Sequence, residues 1–322
     1  MQKFIIKLII FSIPIIILYN VPKFAHYSFN SEIDKKINSL IENVNEPMII
    51  VGGDSRAERQ IIPSILESRL GIETVNIGIN AGDITILYNA LMAHNIVNKN
   101  NSLIISISSV ETNDSVVDKW GIPHACVTNI STYDNIKLFG YRYLNMMHER
   151  MRLILIELFK IHKNIKLESS DRRLLTKGFW GIGKDSTNIN FKEIDVLADT
   201  SKVVWYLQSK HDGIRQDVFK KMIKKIADTD MNVIVYNPPV SPSWLERTTD
   251  TYIDSIEINH SKFLKGISAK YDNISFIDFY TNKNNTFDNN MFYNSTHFDF
   301  AGAEIFTNVL LDSLILRKLI NK

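Results

Sequence analysis

A serine hydroxyl is a poor nucleophile at neutral pH and needs a base within hydrogen-bond reach. Ser55 is placed for that chemistry, in the stretch "IIVGGDSRAERQIIP" that begins at Ile49. It follows a short β-branched run ended by glycines and precedes apolar residues at helical spacing. A purely structural reading of the same residues makes Asp54 or Ser55 the N-cap of the following helix. Among eight histidines, His297 is the candidate base, because "YNSTHFDFAGAEIF" puts it in a loop directly ahead of a helix. Imidazole is the side chain whose pKa suits the task. The scattered histidines and "HFD" lack the clustered spacing of a zinc site, so no metal and no cofactor are expected.

These residues need a frame, and the chain alternates as a parallel sheet with crossover helices does. The pattern predicts strands at Met48–Val51, Thr74–Ile77 and Ser102–Ser108, with helices at Arg56–Arg69 and Thr85–Asn98 between them. It resumes with a helix at Gly213–Asp228, a strand at Asn232–Asn237, a helix near Tyr252–Tyr271, a strand at Ile274–Asp278 and a last helix from Ala301. Four polar clusters then fall at strand ends or helix starts: "GGDS", "NIGINAGD", "SSVETND" and "YNSTHFDF". In doubly wound sheets, the carboxyl ends of the strands are where ligands and reactive groups collect. The rhythm is lost at about 115–210, where the amphipathic "LFGYRYLNMMHERMRLILIELFKIHKNIKL" and the glycine-rich "KGFWGIGKDS" form a helical insertion.

From Phe4 to Tyr19 the chain is almost wholly apolar, with Lys3 and Lys7 on its N-terminal side and no cleavage pattern after it. The expected organisation is a transmembrane signal anchor at 1–20, a juxtamembrane helix or linker at 21–47 and the α/β domain at 48–322. The positive flank predicts that this domain lies outside the cytoplasm, in the periplasm or at the cell surface. Among 322 residues, 37 Lys and Arg against 35 Asp and Glu leave a net charge of +2, which argues against a nucleic-acid partner. Cys126 is the single cysteine, so no intramolecular disulfide is available.

The ordered clusters resemble the conserved blocks of the SGNH or GDSL hydrolase superfamily, over most of Met48–Leu314 apart from the insertion. The resemblance implies a three-layer αβα sandwich with a flavodoxin-like central parallel sheet. It also implies Ser55 as nucleophile, with an oxyanion hole from the N–H groups of Ser55 and Gly78 and the amide of Asn113. Two positions depart from the family pattern. Glu111 stands where the third block has glycine, and Asn294 stands where the last block has the aspartate of Asp-x-x-His. Replacing the aspartate of a serine protease triad by asparagine costs about 10⁴ in kcat through the wrong imidazole tautomer. Three arrangements answer this: a Ser–His dyad held by a backbone carbonyl, a substitute carboxylate at Asp299 or Asp288, or a protein without turnover. A working but slow Ser55–His297 dyad is the favoured expectation, since Ser55, Asn113 and His297 are all present, with Asn294 in the place of the triad's third member.

Within the superfamily the anchor, "GDSRAE", "NIGINAGD" and "GFWG" look like the extracytoplasmic group that accompanies membrane-bound O-acyltransferases in decorating cell-surface polysaccharide. The resemblance implies an acyl-Ser55 intermediate, an acyl-ester or polysaccharide substrate and a multi-span O-acyltransferase partner. Two rival readings are a secreted carbohydrate or lipid esterase, and a non-catalytic scaffold that grips a membrane partner through its anchor and "YLNMMHERMRLILIELF".

Overall fold

Strand β1 (Met48–Gly52) is buried at every position, as an uninterrupted apolar run in a parallel sheet must be. It pairs in parallel with β2 (Glu73–Asn76) on one side and with β3 (Ser102–Ser106) on the other. Strand β4 (Asn232–Asn237) adds to β3, and β5 (Ile274–Asp278) adds to β4, again in parallel. This computed structural model describes residues 36, 40, 47–79, 87, 91, 96–112, 213–280 and 286–320, all within one compact unit of the chain. The strand order is β2-β1-β3-β4-β5, that of flavodoxin-like doubly wound sheets.

Side chains alternate across the sheet, so each face has its own cover. Ile49, Val51, Ile104, Ile234, Tyr236 and Ile277 share one core with α1 (Ser55–Gln60), α2 (Pro63–Leu70) and α7 (Phe300–Leu316). The alternate residues Ile50, Leu103, Ile105, Val233 and Val235 are equally buried, so the opposite face is covered too. Two further helices, α4 (Ile214–Ala227) and α6 (Tyr252–Ser268), meet through Phe219 and Phe263, whose rings lie 6.0 Å apart. The short α3 (Ser109–Thr112) follows β3, and α5 (Pro242–Thr248) is capped by Ser241, which accepts from Trp244 N–H. Helices flank a central five-stranded parallel sheet, the α/β class expected from the alternation.

The bounds of β4 and β5 coincide with those read from the sequence. The single helix expected over Arg56–Arg69 is in fact two. Ile61 and Ile62 are extended between α1 and α2 because Pro63 lacks an N–H and disfavours helix in the residue before it. A two-stranded antiparallel hairpin, β6 (Phe292–Asn294) and β7 (His297–Phe298), was not anticipated. Among the described residues no helix is long and apolar enough to cross a membrane. The Phe4–Tyr19 segment, the insertion at about 115–210 and most of the helix expected at Thr85–Asn98 lie outside the described residues. In the stretch read as a juxtamembrane helix or linker, Lys36 and Leu40 are helical and buried.

Candidate active site

The turn after β1 is built for a tight exit. Gly53 has φ of 130°, a region closed to side chains, and a Cβ there would lie 2.3 Å from the carbonyl oxygen of Ser106 on the neighbouring strand. The chain then enters α1 with Asp54 as N-cap, its Oδ1 accepting from Arg56 N–H at 2.9 Å. This separates the two readings of the motif: Asp54 caps the helix, and Ser55 is its first residue. The Ser55 Oγ lies 2.7 Å from His297 Nε2. The pair sits beyond the carboxyl end of β1, which β2 and β3 flank on opposite sides, the point where the strand order reverses. Ser55, His297 and Asn294 are all partly exposed, so a ligand can reach them.

His297 is placed by the hairpin. Asn294 and His297 are cross-strand partners, joined by Ser295 and Thr296 at the turn. The Asn294 Oδ1 accepts from Thr296 N–H and from His297 N–H, both at 3.0 Å, and lies 2.9 Å from His297 Nδ1. Only the oxygen of an amide can accept two backbone N–H bonds, so those bonds decide which end of Asn294 faces the ring. An oxygen opposite Nδ1 requires the proton on Nδ1. Nε2 then presents its lone pair to the Ser55 hydroxyl, the tautomer that a general base needs. Thr296 Oγ1 also lies 3.2 Å from Nδ1.

Ser55 and His297 are 242 residues apart in sequence, and several contacts hold their elements together. Gln60 Nε2, at the end of α1, donates to Thr296 O at 3.0 Å. Thr307 of α7 accepts from Ile62 N–H at 3.1 Å, and its hydroxyl lies 3.1 Å from Gln60 O and 2.7 Å from Ala303 O. The break between α1 and α2 is thus stitched to the helix that follows His297. Below the hairpin, Phe298 packs on Phe292, Phe287 and Phe306 with ring centroids 4.2, 5.2 and 5.4 Å away. Aromatic pairs of this kind add roughly 0.5–1.5 kcal/mol each beyond the area they bury.

The other expected site residues are placed differently. Asp299 is the N-cap of α7, its Oδ1 accepting from Gly302 N–H at 2.7 Å, and Asp288 caps a 3-10 turn by accepting from Asn290 N–H at 2.8 Å. Both proposed substitute carboxylates therefore have capping work, and the oxygen against Nδ1 is that of Asn294. Gly78 N–H, expected as an oxyanion donor, donates to Asn76 Oδ1 at 2.9 Å. The close approach that requires glycine there is to α1, since a Cβ would lie 2.4 Å from Glu58 N. Asn76 completes the clamp by donating from Nδ2 to Ala57 O and Ile61 O at 2.8 and 3.0 Å. Asn113 lies outside the described residues.

Glu111, the departure from the third block, accepts from Ser108 N–H at 2.6 Å. Ser108-x-x-Glu111 is a capping-box pattern at the start of α3, legible in the sequence but not read there. Its Oε2 also stands 4.0 Å from Nη2 of the buried Arg56, whose guanidinium donates to Asp54 Oδ2 from Nε and Nη2 at 2.9 and 2.8 Å. Gln60, Thr296 and Thr307, which carry the alignment of the site, gave no local signal. Among the described residues no group of three or more His, Cys, Asp or Glu could hold a metal ion.

No protein-family model matches the chain, and no curated protein matches it. Among solved structures, a chain from Streptococcus pneumonia provisionally assigned as a platelet activating factor is similar at 13% identity with a TM-score of 0.43, over 88% of this chain and 92% of that chain.

Proposed function

We propose that the protein is a serine-dependent acyl-ester hydrolase or O-acyltransferase of the SGNH type that works through an acyl-Ser55 intermediate. The observation that carries this reading is the relay in which Ser55 Oγ lies 2.7 Å from His297 Nε2 while Asn294 Oδ1 lies 2.9 Å from Nδ1. In the first step Oγ adds to the acyl carbonyl while Nε2 takes its proton. The ester C–O bond then breaks, and Nε2 returns the proton to the departing alkoxide. A second hydroxyl, from water or from a sugar, attacks acyl-Ser55 with His297 again as base. In this reading the N–H of Ser55, first in α1 and without an intrahelical partner, donates to the oxyanion.

Fluorophosphonate labelling and p-nitrophenyl acetate turnover test this reading on wild type, Ser55→Ala and His297→Ala. Expected is labelling of wild type only, with turnover lost in both variants by roughly 10⁴–10⁶. A His297→Ala chain as active as wild type sinks the serine–histidine relay, and a wild type that neither labels nor turns over leaves the scaffold reading in its place.

The apolar, lysine-flanked segment at Phe4–Tyr19 extends the proposal to a membrane-anchored enzyme whose domain faces away from the cytoplasm and acts on cell-envelope polysaccharide beside a multi-span O-acyltransferase. N-terminal sequencing of the mature chain is expected to find that segment retained; a start beyond Tyr19 contradicts the anchor.

A further inference from the structure

We propose that Lys36, contributed by the chain ahead of β1, is a positioning residue for Ser55, which makes that segment part of the catalytic unit and not a spacer. The proposal rests on the acyl-serine reading above. Lys36 is 3% exposed and Leu40, four residues on, is fully buried. The Lys36 Nζ donates to Glu58 Oε1 and to Gly78 O, both at 2.6 Å. Glu58 lies three residues after Ser55 on α1 and is itself 1% exposed. Gly78 belongs to the loop after β2 that Asn76 clamps to the carbonyls of Ala57, in α1, and Ile61, just past it. One ammonium therefore joins the helix that begins with Ser55 to the loop that packs beside it.

Stability alone is a poor account of this pair. Replacing a buried ion pair by apolar residues of similar volume is often neutral or stabilising, whereas removing one partner leaves a buried charge uncompensated. The pair does supply direction. Two short bonds from one Nζ fix α1 against the loop, and the Gln60 bond to Thr296 O fixes it to the hairpin. A hydroxyl nucleophile displaced by about 1 Å from its productive geometry loses roughly a hundredfold in rate.

The test uses the full chain and compares wild type, Lys36→Met and Lys36→Met/Glu58→Gln, with Ser55→Ala as the blank. Melting temperature, fluorophosphonate labelling rate, and kcat and KM for p-nitrophenyl acetate are measured well below each melting point. Lys36→Met is expected to melt lower and to lose roughly a hundredfold in kcat and labelling rate with little change in KM. The double variant removes both charges of the pair but also the carboxylate that faces Arg59 Nε at 3.9 Å, so its melting temperature is expected to recover in part while kcat stays at least about tenfold down. Recovery of kcat together with stability in the double variant overturns the proposal, as does a folded Lys36→Met chain with wild-type kcat. A wild type that does not label at Ser55 overturns the acyl-serine reading, and the positioning role with it.

Discussion

The oxygen of Asn294 meets two backbone N–H groups as well as the imidazole, and that prior engagement answers the objection to an amide in this position. The penalty for asparagine in a serine protease triad arises largely from the wrong tautomer. Here the amide cannot turn its NH₂ toward Nδ1 without abandoning both turn bonds, so the ring keeps the useful tautomer. What the amide lacks is charge, and hence stabilisation of the imidazolium formed during attack. Asn294→Asp is accordingly expected to raise hydrolysis of small acyl esters by about tenfold, since a charged acceptor is worth roughly 1 kcal/mol more than a neutral one. A carboxylate favours the protonated ring and so raises the His297 pKa. Because the base must be neutral, the alkaline-rising limb of kcat/KM moves to higher pH in the same variant. A variant slower than wild type at every pH shows that charge at 294 does not limit the reaction.

At the scale of elements, the site depends on joints between segments that are distant in sequence. Thr307 of α7 accepts the Ile62 N–H that Pro63 leaves outside any helix. Thr307→Val keeps the shape and removes the acceptor, so it is expected to cost about 1–3 kcal/mol, the price of a buried unsatisfied N–H. Thermal or denaturant unfolding reads this, and an unchanged midpoint shows that another group meets Ile62. Strand β4 could be read to the residue because it is an apolar run between asparagines, and β5 because its β-branched and aromatic residues lie between Asn273 and Asp278. The nucleophile turn was legible too, since Gly-Gly-Asp-Ser states both the strained exit and the cap. The hairpin was not, because its two strands span five residues in all and offer no periodicity. Nor was the true neighbour of Gly78: a glycine signals close approach but does not say to what, and the Glu58 backbone is 20 positions earlier in the chain. Gln60 and Thr307 are ordinary helical residues until tertiary packing brings them to the break between α1 and α2.

At the scale of the whole molecule, two phenols among the described residues are buried, one in each of two hydrophobic cores, and they are expected to set its alkaline limit. Tyr236 is buried in the core between the sheet and α7, beside Phe279 and Phe306 at 6.1 and 5.7 Å. Tyr280 is buried with Val240, Trp244, Ile253 and Ile256. Burial pushes both phenols well above the ordinary tyrosine range, because neither phenolate can be solvated in place; the carboxylate of Asp54 adds to the effect at Tyr236, and that of Glu257 at Tyr280. The sign follows from linkage. With the folded pKa raised, the unfolded chain loses protons first, so the contribution is complete below about pH 10 and is lost as pH rises beyond it. Each phenol then costs about 1.4 kcal/mol of stability per pH unit, and the two together roughly twice that. A domain with an ordinary stability of about 5–15 kcal/mol is therefore expected to unfold cooperatively within a few units above pH 10, with both tyrosines ionising in the same step. Tyr236→Phe and Tyr280→Phe keep the rings and remove the ionisable groups, so each is expected to move the alkaline midpoint upward while changing neutral-pH stability little. Spectrophotometric titration at 295 nm alongside far-ultraviolet dichroism checks this: ionisation of all tyrosines near pH 10 with the fold intact would place both phenols within reach of solvent.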